Sequence, residues 1–175
     1  MGRNLDKLAR QIKLIGFDID GVHTDGKLYF TATGETMKTF NSLDGLGINM
    51  LLRSGIEVAF ITGRKSTMVE ARAAELGIKY LYQGKTQKVA AFNDCLQKLN
   101  IGADKAAYMG DDVTDLPIMQ RVGLSIAPAN AIDAVKESAD WVTQRSGGNG
   151  AVREACDLLL QAQHKWQQAI NAYDV

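Results

Sequence analysis

The chain has 175 residues, 46% hydrophobic and 23% charged, enough to bury a full apolar core without metal or disulfide staples. Twenty basic residues balance twenty acidic ones, which argues against a general nucleic-acid binder. Cys95 and Cys156 make neither a metal or redox motif nor a disulfide framework, and neither an export signal nor an apolar run of the ~18 residues a membrane span needs is visible. These features predict one cytoplasmic domain over residues 1–175, with no nucleic-acid or membrane partner.

In chain order, the apolar run from Ile12 to Phe17 predicts a first strand. Lys27 to Phe40 reads as two short strands around a glycine-bearing turn, a β-hairpin insertion too small to be a second domain. A unit of helix, glycine and apolar run then repeats. Leu46 to Arg53 and Gly55 precede Ile56 to Ile61, Thr67 to Leu76 and Gly77 precede Ile78 to Leu81, and Gly123 precedes Leu124-Ser125-Ile126. Between the last two units, Val89, Phe92, Leu96 and Leu99 share a helix face, and Ala106 to Met109 forms another apolar run. Continuous apolar strands are buried on both faces, so the expected fold is α/β, a doubly wound, Rossmann-like parallel sheet with an inserted hairpin and no separate cap. From about Ala151, apolar residues through Tyr173 follow helical spacing. The half up to Ala162 should pack on the sheet, and the remainder should be a subunit contact or a frayed tail.

Ligands of an open parallel sheet bind beyond the carboxyl ends of its strands. There the first run ends in Asp18-Ile19-Asp20-Gly21, the second in Thr62-Gly63-Arg64, and Ala106 to Met109 in Gly110-Asp111-Asp112, with Asp115 just beyond. Acidic clusters converging on one point repel unless a cation lies between them, and an all-oxygen site suits Mg²⁺. On an extended strand Asp18 and Asp20 face one way and can divide nucleophile and acid/base roles. Singly, each could be a solvated strand-end carboxylate; their joint order argues against that.

Phe17-Asp18-Ile19-Asp20-Gly21-Val22, Ile61-Thr62-Gly63-Arg64, Lys88 and Gly110-Asp111-Asp112-Val113-Thr114-Asp115 resemble the four ordered motifs of the haloacid dehalogenase superfamily of phosphatases. Asp20 to Gly26, Asn41 to Gly47, Tyr82-Gln83-Gly84 and Gly147 to Glu154 are similar to its phosphatases of an eight-carbon keto sugar acid phosphate, over residues about 12 to 163. The resemblance implies release of the free sugar acid in lipopolysaccharide precursor biosynthesis, through an aspartyl-phosphate on Asp18, with Asp20 as acid and then base. It implies Mg²⁺ held by the carboxylates of Asp18 and Asp111 and the backbone carbonyl of Asp20, Thr62 on a phosphoryl oxygen, and Lys88 neutralising the transferred group. Asp112 or Asp115 would orient Lys88 or metal-bound water. Substrate contacts are implied at Asp20, Asn41, Ser42, Asp44, Gly45, Arg64, Arg72 and Lys88. The chain departs from the family at Leu43 and Asn49, where basic residues are common.

Several of these residues also have plainer readings. Lys88 could be an exposed helix lysine with Lys85 in its place, Arg72 an i,i+3 partner of Glu75, Arg153 a partner of Glu154, and His23 a hairpin packing residue. The intervals from Asp18 to Thr62 and from Thr62 to Lys88 leave no room for a lid. A capless site for a small sugar needs a borrowed cover, and the resemblance implies a homotetramer with sites at subunit interfaces. A phospho-accepting receiver domain is the rival from another class, but it lacks an early D-x-D. A phosphatase of a nine-carbon keto sugar acid, a polynucleotide phosphatase and a catalytically silent scaffold are the remaining alternatives.

Overall fold

The structure is a computed structural model that describes residues 2–173. It opens with helix α1 (Gly2–Arg10) and strand β1 (Leu14–Phe17), followed by a hairpin of β2 (Tyr29–Thr31) and β3 (Gly34–Met37). Helix α2 (Ser42–Arg53), β4 (Glu57–Ile61), α3 (Thr67–Glu75), β5 (Tyr80–Tyr82), α4 (Lys88–Leu99) and β6 (Ala106–Met109) come next. The chain continues through α5 (Leu116–Met119), β7 (Leu124–Ala127), α6 (Asp133–Ser138), β8 (Trp141–Val142), α7 (Ala151–Ala162) and α8 (Trp166–Asn171). Six strands form one sheet in the order β5-β4-β1-β6-β7-β8, every pair parallel, and β2-β3 is a separate antiparallel pair.

The strands are apolar at consecutive positions because both of their faces are covered. Ile15 and Phe17, Val58 and Phe60, and Ala107 and Met109 join the apolar layer that contains residues of α2, α3 and α7. Their neighbours Leu14, Ala59, Ile61, Ala106 and Tyr108 join the layer of α4, α5 and α6. Burial of one such large side chain contributes about 1.5–3 kcal/mol. An exposed pair such as Asp6–Arg10 contributes at most about 1 kcal/mol, so the two layers hold the sheet.

Gly55 and Gly77 take positive φ angles of 75° and 71° after α2 and α3, as helix-ending glycines should. Gly123 does not. A Cβ there would lie 1.9 Å from the Asp104 carbonyl oxygen, so this glycine serves a close approach and not a left-handed turn.

Helix α2 begins at Ser42, ahead of the expected Leu46, because Asn41 caps it: its Oδ1 accepts from the Leu43 N–H at 2.8 Å. Its glycines are packing residues. A Cβ on Gly45 would meet the Arg72 guanidinium, and one on Gly47 would meet Arg153 and Cys156. The expected single C-terminal helix is two. It breaks after Ala162, His164 adopts a φ of 58°, and Gln163 Nε2 donates to the carbonyls of Ala9 and Ile12. Lys165 Nζ donates to the Ser54 carbonyl, turning α8 back onto the body, where Ala169 is buried. The remainder thus packs on its own chain as far as Tyr173; the last residues of the expected tail, 174 and 175, lie outside the described residues. No helix among the described residues is long and apolar enough to cross a membrane.

Candidate active site

Strand β1 pairs with β4 on one side and β6 on the other through Phe17, and the Asp18 N–H donates to the Met109 carbonyl at 3.0 Å. There the extended backbone stops. The Ile19 carbonyl accepts from the N–H groups of Val22, His23 and Thr24, so Asp18 to Asp20 lies at the start of a turn and not on a strand. This corrects the expected alternation: the two carboxylates find different partners. One Asp18 oxygen accepts from the Ile19 N–H at 2.7 Å, and the other lies 2.7 Å from Lys88 Nζ. Asp20 Oδ1 lies 2.5 Å from Lys38 Nζ, and its Oδ2 lies 3.6 Å from Arg64 Nε.

Carboxylate oxygens of Asp18, Asp111 and Asp115 all lie within 4.8 Å of one another. Lys88, the first residue of α4, reaches into this group from the other helical layer and also bonds Asp115 Oδ1 at 2.8 Å. It is buried, whereas Lys85 is exposed, so Lys88 is the one of the two lysines that the fold brings to the cluster. Asp115 is fully buried; it also accepts from the Tyr108 hydroxyl at 2.8 Å and from the Asp111 N–H at 3.2 Å. Of the two supporting acids, then, Asp115 orients Lys88. Asp112 is exposed and accepts from the Val113 N–H.

Three carboxylates against one ammonium leave the cluster short of positive charge. Burial, with repulsion from Asp115, pushes Asp18 up to about 7 against the pull of Lys88. Burial, with repulsion from Asp18 and Asp115, pushes Asp111 up to about 7. Burial alone would lower Lys88, but Asp18 and Asp115 outweigh it and hold the ammonium above its usual value. Asp111 Oδ1 is buried with no hydrogen-bond partner. A Cβ on Gly21, whose φ is 85°, would lie 2.0 Å from Asp111 Oδ2, so only glycine lets the two loops approach. Hard oxygens in excess of positive charge, one of them orphaned, fit a divalent cation such as Mg²⁺.

Thr62, buried at the carboxyl end of β4, donates its N–H to the Tyr82 carbonyl. Arg64 follows it, half exposed beside Asp20. Of the other expected substrate contacts, all but Ser42 are engaged in contacts within the chain. Asn41 caps α2 and donates to the Gly148 carbonyl, Ser42 is exposed on the first turn, and Gly45 lies under Arg72. Asp44 is buried and accepts from the Arg153 N–H at the start of α7; burial pushes it up to about 6. Arg72 pairs with Glu75 at 2.9 Å and donates to the Asn41 carbonyl. Arg153 pairs with Asp157 at 2.6 Å, not with Glu154. His23 is outside the hairpin, buried between Phe17 and Phe60 at ring-centroid distances of 5.1 and 4.5 Å.

Three residues of the site were not anticipated. Tyr108 had a signal, since a hydroxyl inside a buried apolar run needs a partner. Asn130 lies in a loop after β7, where Nδ2 donates to the Gly21 carbonyl at 2.9 Å and Oδ1 accepts from the Gly147 N–H at 2.6 Å. Lys38 carried no sequence signal.

A carboxylate at the end of the central strand, a buried lysine on it and an acidic cluster at the same sheet edge define a phosphoryl-transfer site of the haloacid dehalogenase class. The family of haloacid dehalogenase-like hydrolases matches residues 80–154, the segment with Lys88, Asp111 and Asp115. A 3-deoxy-D-manno-octulosonate 8-phosphate phosphatase of Escherichia coli is 52% identical over 161 residues, 92% of this chain and 86% of that one. The crystal structure of such a phosphatase from Yersinia pestis superposes with a TM-score of 0.93 at 45% identity, covering 94% of this chain and 89% of that one. Another, from Moraxella catarrhalis in complex with magnesium ion, phosphate ion and KDO, gives a TM-score of 0.95 at 40% identity over 99% of both chains. The chain belongs to the 3-deoxy-D-manno-octulosonate 8-phosphate phosphatase family of haloacid dehalogenase-like hydrolases. That membership sets aside the receiver-domain reading.

Proposed function

We propose that the protein is a Mg²⁺-dependent phosphatase that hydrolyses 3-deoxy-D-manno-octulosonate 8-phosphate to the free sugar acid and phosphate. The observation that carries this reading is the Asp18–Lys88–Asp115 chain beside Asp111, in a sequence half identical to a phosphatase of that ester. Asp18 attacks phosphorus in line, the ester oxygen leaves, and an aspartyl-phosphate forms. Asp20 gives its proton to the departing oxygen and then takes one from the water that hydrolyses the acyl phosphate. Lys88, pinned by Asp115, holds Asp18 in place and offsets the charge of the transferred group, while Thr62 donates to a phosphoryl oxygen. The carboxylates of Asp18 and Asp111 and the Asp20 carbonyl are the residues that would hold Mg²⁺, which supplies charge shielding between nucleophile and phosphate. Arg64 is the exposed cation beside the site and suits the sugar carboxylate.

The chain is read as one cytoplasmic catalytic domain. Between β1 and β4 the described residues hold only the hairpin and α2, and between β4 and α4 only α3 and β5, so no cap covers the site. Phe30, Met37 and Leu28 on the hairpin are 59%, 45% and 37% exposed, more apolar surface than a solvated flap needs. A homotetramer that packs hairpins between protomers would bury them and supply the cover. The deciding experiment is phosphate release, with Mg²⁺ and with chelator, across eight- and nine-carbon keto sugar acid phosphates. Preference for the eight-carbon ester with Mg²⁺ is expected. Turnover in excess chelator would overturn the metal assignment, and preference for the nine-carbon ester would overturn the substrate.

A further inference from the structure

We propose that Lys38 is a positioning residue that orients the Asp20 carboxylate from the hairpin. This rests on the reading of Asp20 as acid and base. Lys38 directly follows β3, in a hairpin that shares no strand pairing with the main sheet, yet its side chain is only 1% exposed. A buried ammonium is costly unless it is paired. Its partners are Asp20 Oδ1 at 2.5 Å and Glu35 Oε1 at 2.9 Å. Lys38 is also the hydrogen-bond donor that holds the Asp20 side chain, since Arg64 lies at 3.6 Å and is 47% exposed.

An ammonium donates and cannot accept. Lys38 therefore fixes Oδ1 and leaves Oδ2 on the side towards Arg64. Glu35 in turn holds Lys38 from the hairpin's own strand. Without the lysine, a short side chain on a turn can rotate its acidic oxygen away from the leaving group. A misplacement of about 1 Å costs on the order of 10²-fold in rate.

The test compares leaving groups. An alkoxide leaving from the sugar phosphate needs the proton, whereas the stable phenolate from p-nitrophenyl phosphate does not. Single-turnover rates of the first step are measured for wild type, Lys38→Met, Lys38→Arg, Glu35→Gln and Asp20→Asn. Lys38→Met should lose about 10²-fold on the sugar phosphate and less than about threefold on p-nitrophenyl phosphate, with KM little changed. Lys38→Arg should restore most of the loss, and Glu35→Gln should show the same selectivity at smaller amplitude. Equal losses on both esters, no loss on either, or a rise in KM alone would overturn the proposal. If Lys38→Met does not fold, Glu35→Gln decides by the same comparison. An Asp20→Asn variant that treats both esters alike would overturn the role of Asp20 and with it that of Lys38. A selective Asp20→Asn beside a non-selective Lys38→Met overturns Lys38 alone.

Discussion

At Asp18 and Asp20, similar carboxylates in neighbouring positions are separated by their partners: Lys88 in the buried cluster for one, Lys38 and Arg64 on the open side for the other. Asp18→Asn should reduce steady-state phosphate release by at least about 10³-fold, because an amide is no nucleophile. Asp20→Asn should lose about 10²–10⁴-fold through proton transfer. The first substitution also relieves like-charge crowding among Asp18, Asp111 and Asp115. In chelator its Tm should therefore rise by about 2–4 °C, the shift that ~1 kcal/mol produces in a chain of this size. Mg²⁺ should then stabilise wild type more than the variant, as calorimetry with and without the ion would show. His23 gives a separate pH signature. Burial, aided by Arg72, lowers it to about 3 from 6.5, so the fold keeps it neutral while the unfolded chain takes up a proton. Stability is complete above pH 6.5 and falls with acidification by roughly 1.4 kcal/mol per pH unit down to about 3. His23→Phe should flatten that slope in urea melts between pH 4 and 7, since His23 Nε2 makes no hydrogen bond that Phe would lose.

The loop before α7 and the turn after β1 are locked together. A Cβ on Gly147 would lie 1.9 Å from the Gly21 carbonyl, and Asn130 bridges the same two glycines. Gly147→Ala should cost about 1–3 kcal/mol in denaturant melts and lower kcat by displacing the turn that carries Asp20. What the sequence disclosed at this scale follows from periodicity. The central strands and the helices α3 and α4 were legible because their apolar patterns are long enough to register. The helix α1 was not, since Leu5 and Leu8 alternate with charge, nor was β8, whose two residues carry no pattern. The start of α2 was expected at Leu46 because Gly45 and Gly47 weaken the helical pattern; they make room for Arg72, Arg153 and Cys156, contacts far away in sequence. Asp18, Thr62 and Asp111 stood out as candidates because each follows a strand end within two residues, whereas Lys88 opens α4 and Asp115 precedes α5, so only the order of the motifs pointed to them. Lys38 could not be found, because its meaning depends on a hairpin folding over a turn.

As a whole molecule, the protein groups Leu28, Phe30 and Met37 as exposed apolar side chains on the hairpin, while Leu43, Leu46, Val113, Ile132 and Tyr173 are exposed elsewhere. The proposed homotetramer predicts that Phe30→Glu shifts sedimentation velocity to smaller species, while the monomer's Tm changes by less than about 0.5 kcal/mol would produce, because Phe30 is 59% exposed. Specificity for the sugar phosphate should fall with the assembly, as the cover is lost. Wild type sedimenting as a monomer with full specificity would refute the shared cover.

The strand order also sets a timetable for synthesis. Because β1 lies between β4 and β6, the first strand to emerge from a ribosome can pair on one side as soon as Ile61 is out, but its other side waits for Met109. Asp18 is therefore made early and meets Asp111 and Asp115 late, after several seconds at about 5–20 residues per second. Through that interval the nascent chain holds Asp18 without Asp111 and Asp115, the other carboxylates of the cluster. A translation product truncated before Asp111 should therefore release no phosphate, as an assay of the shortened chain would show, because its Asp18 never meets the rest of the cluster.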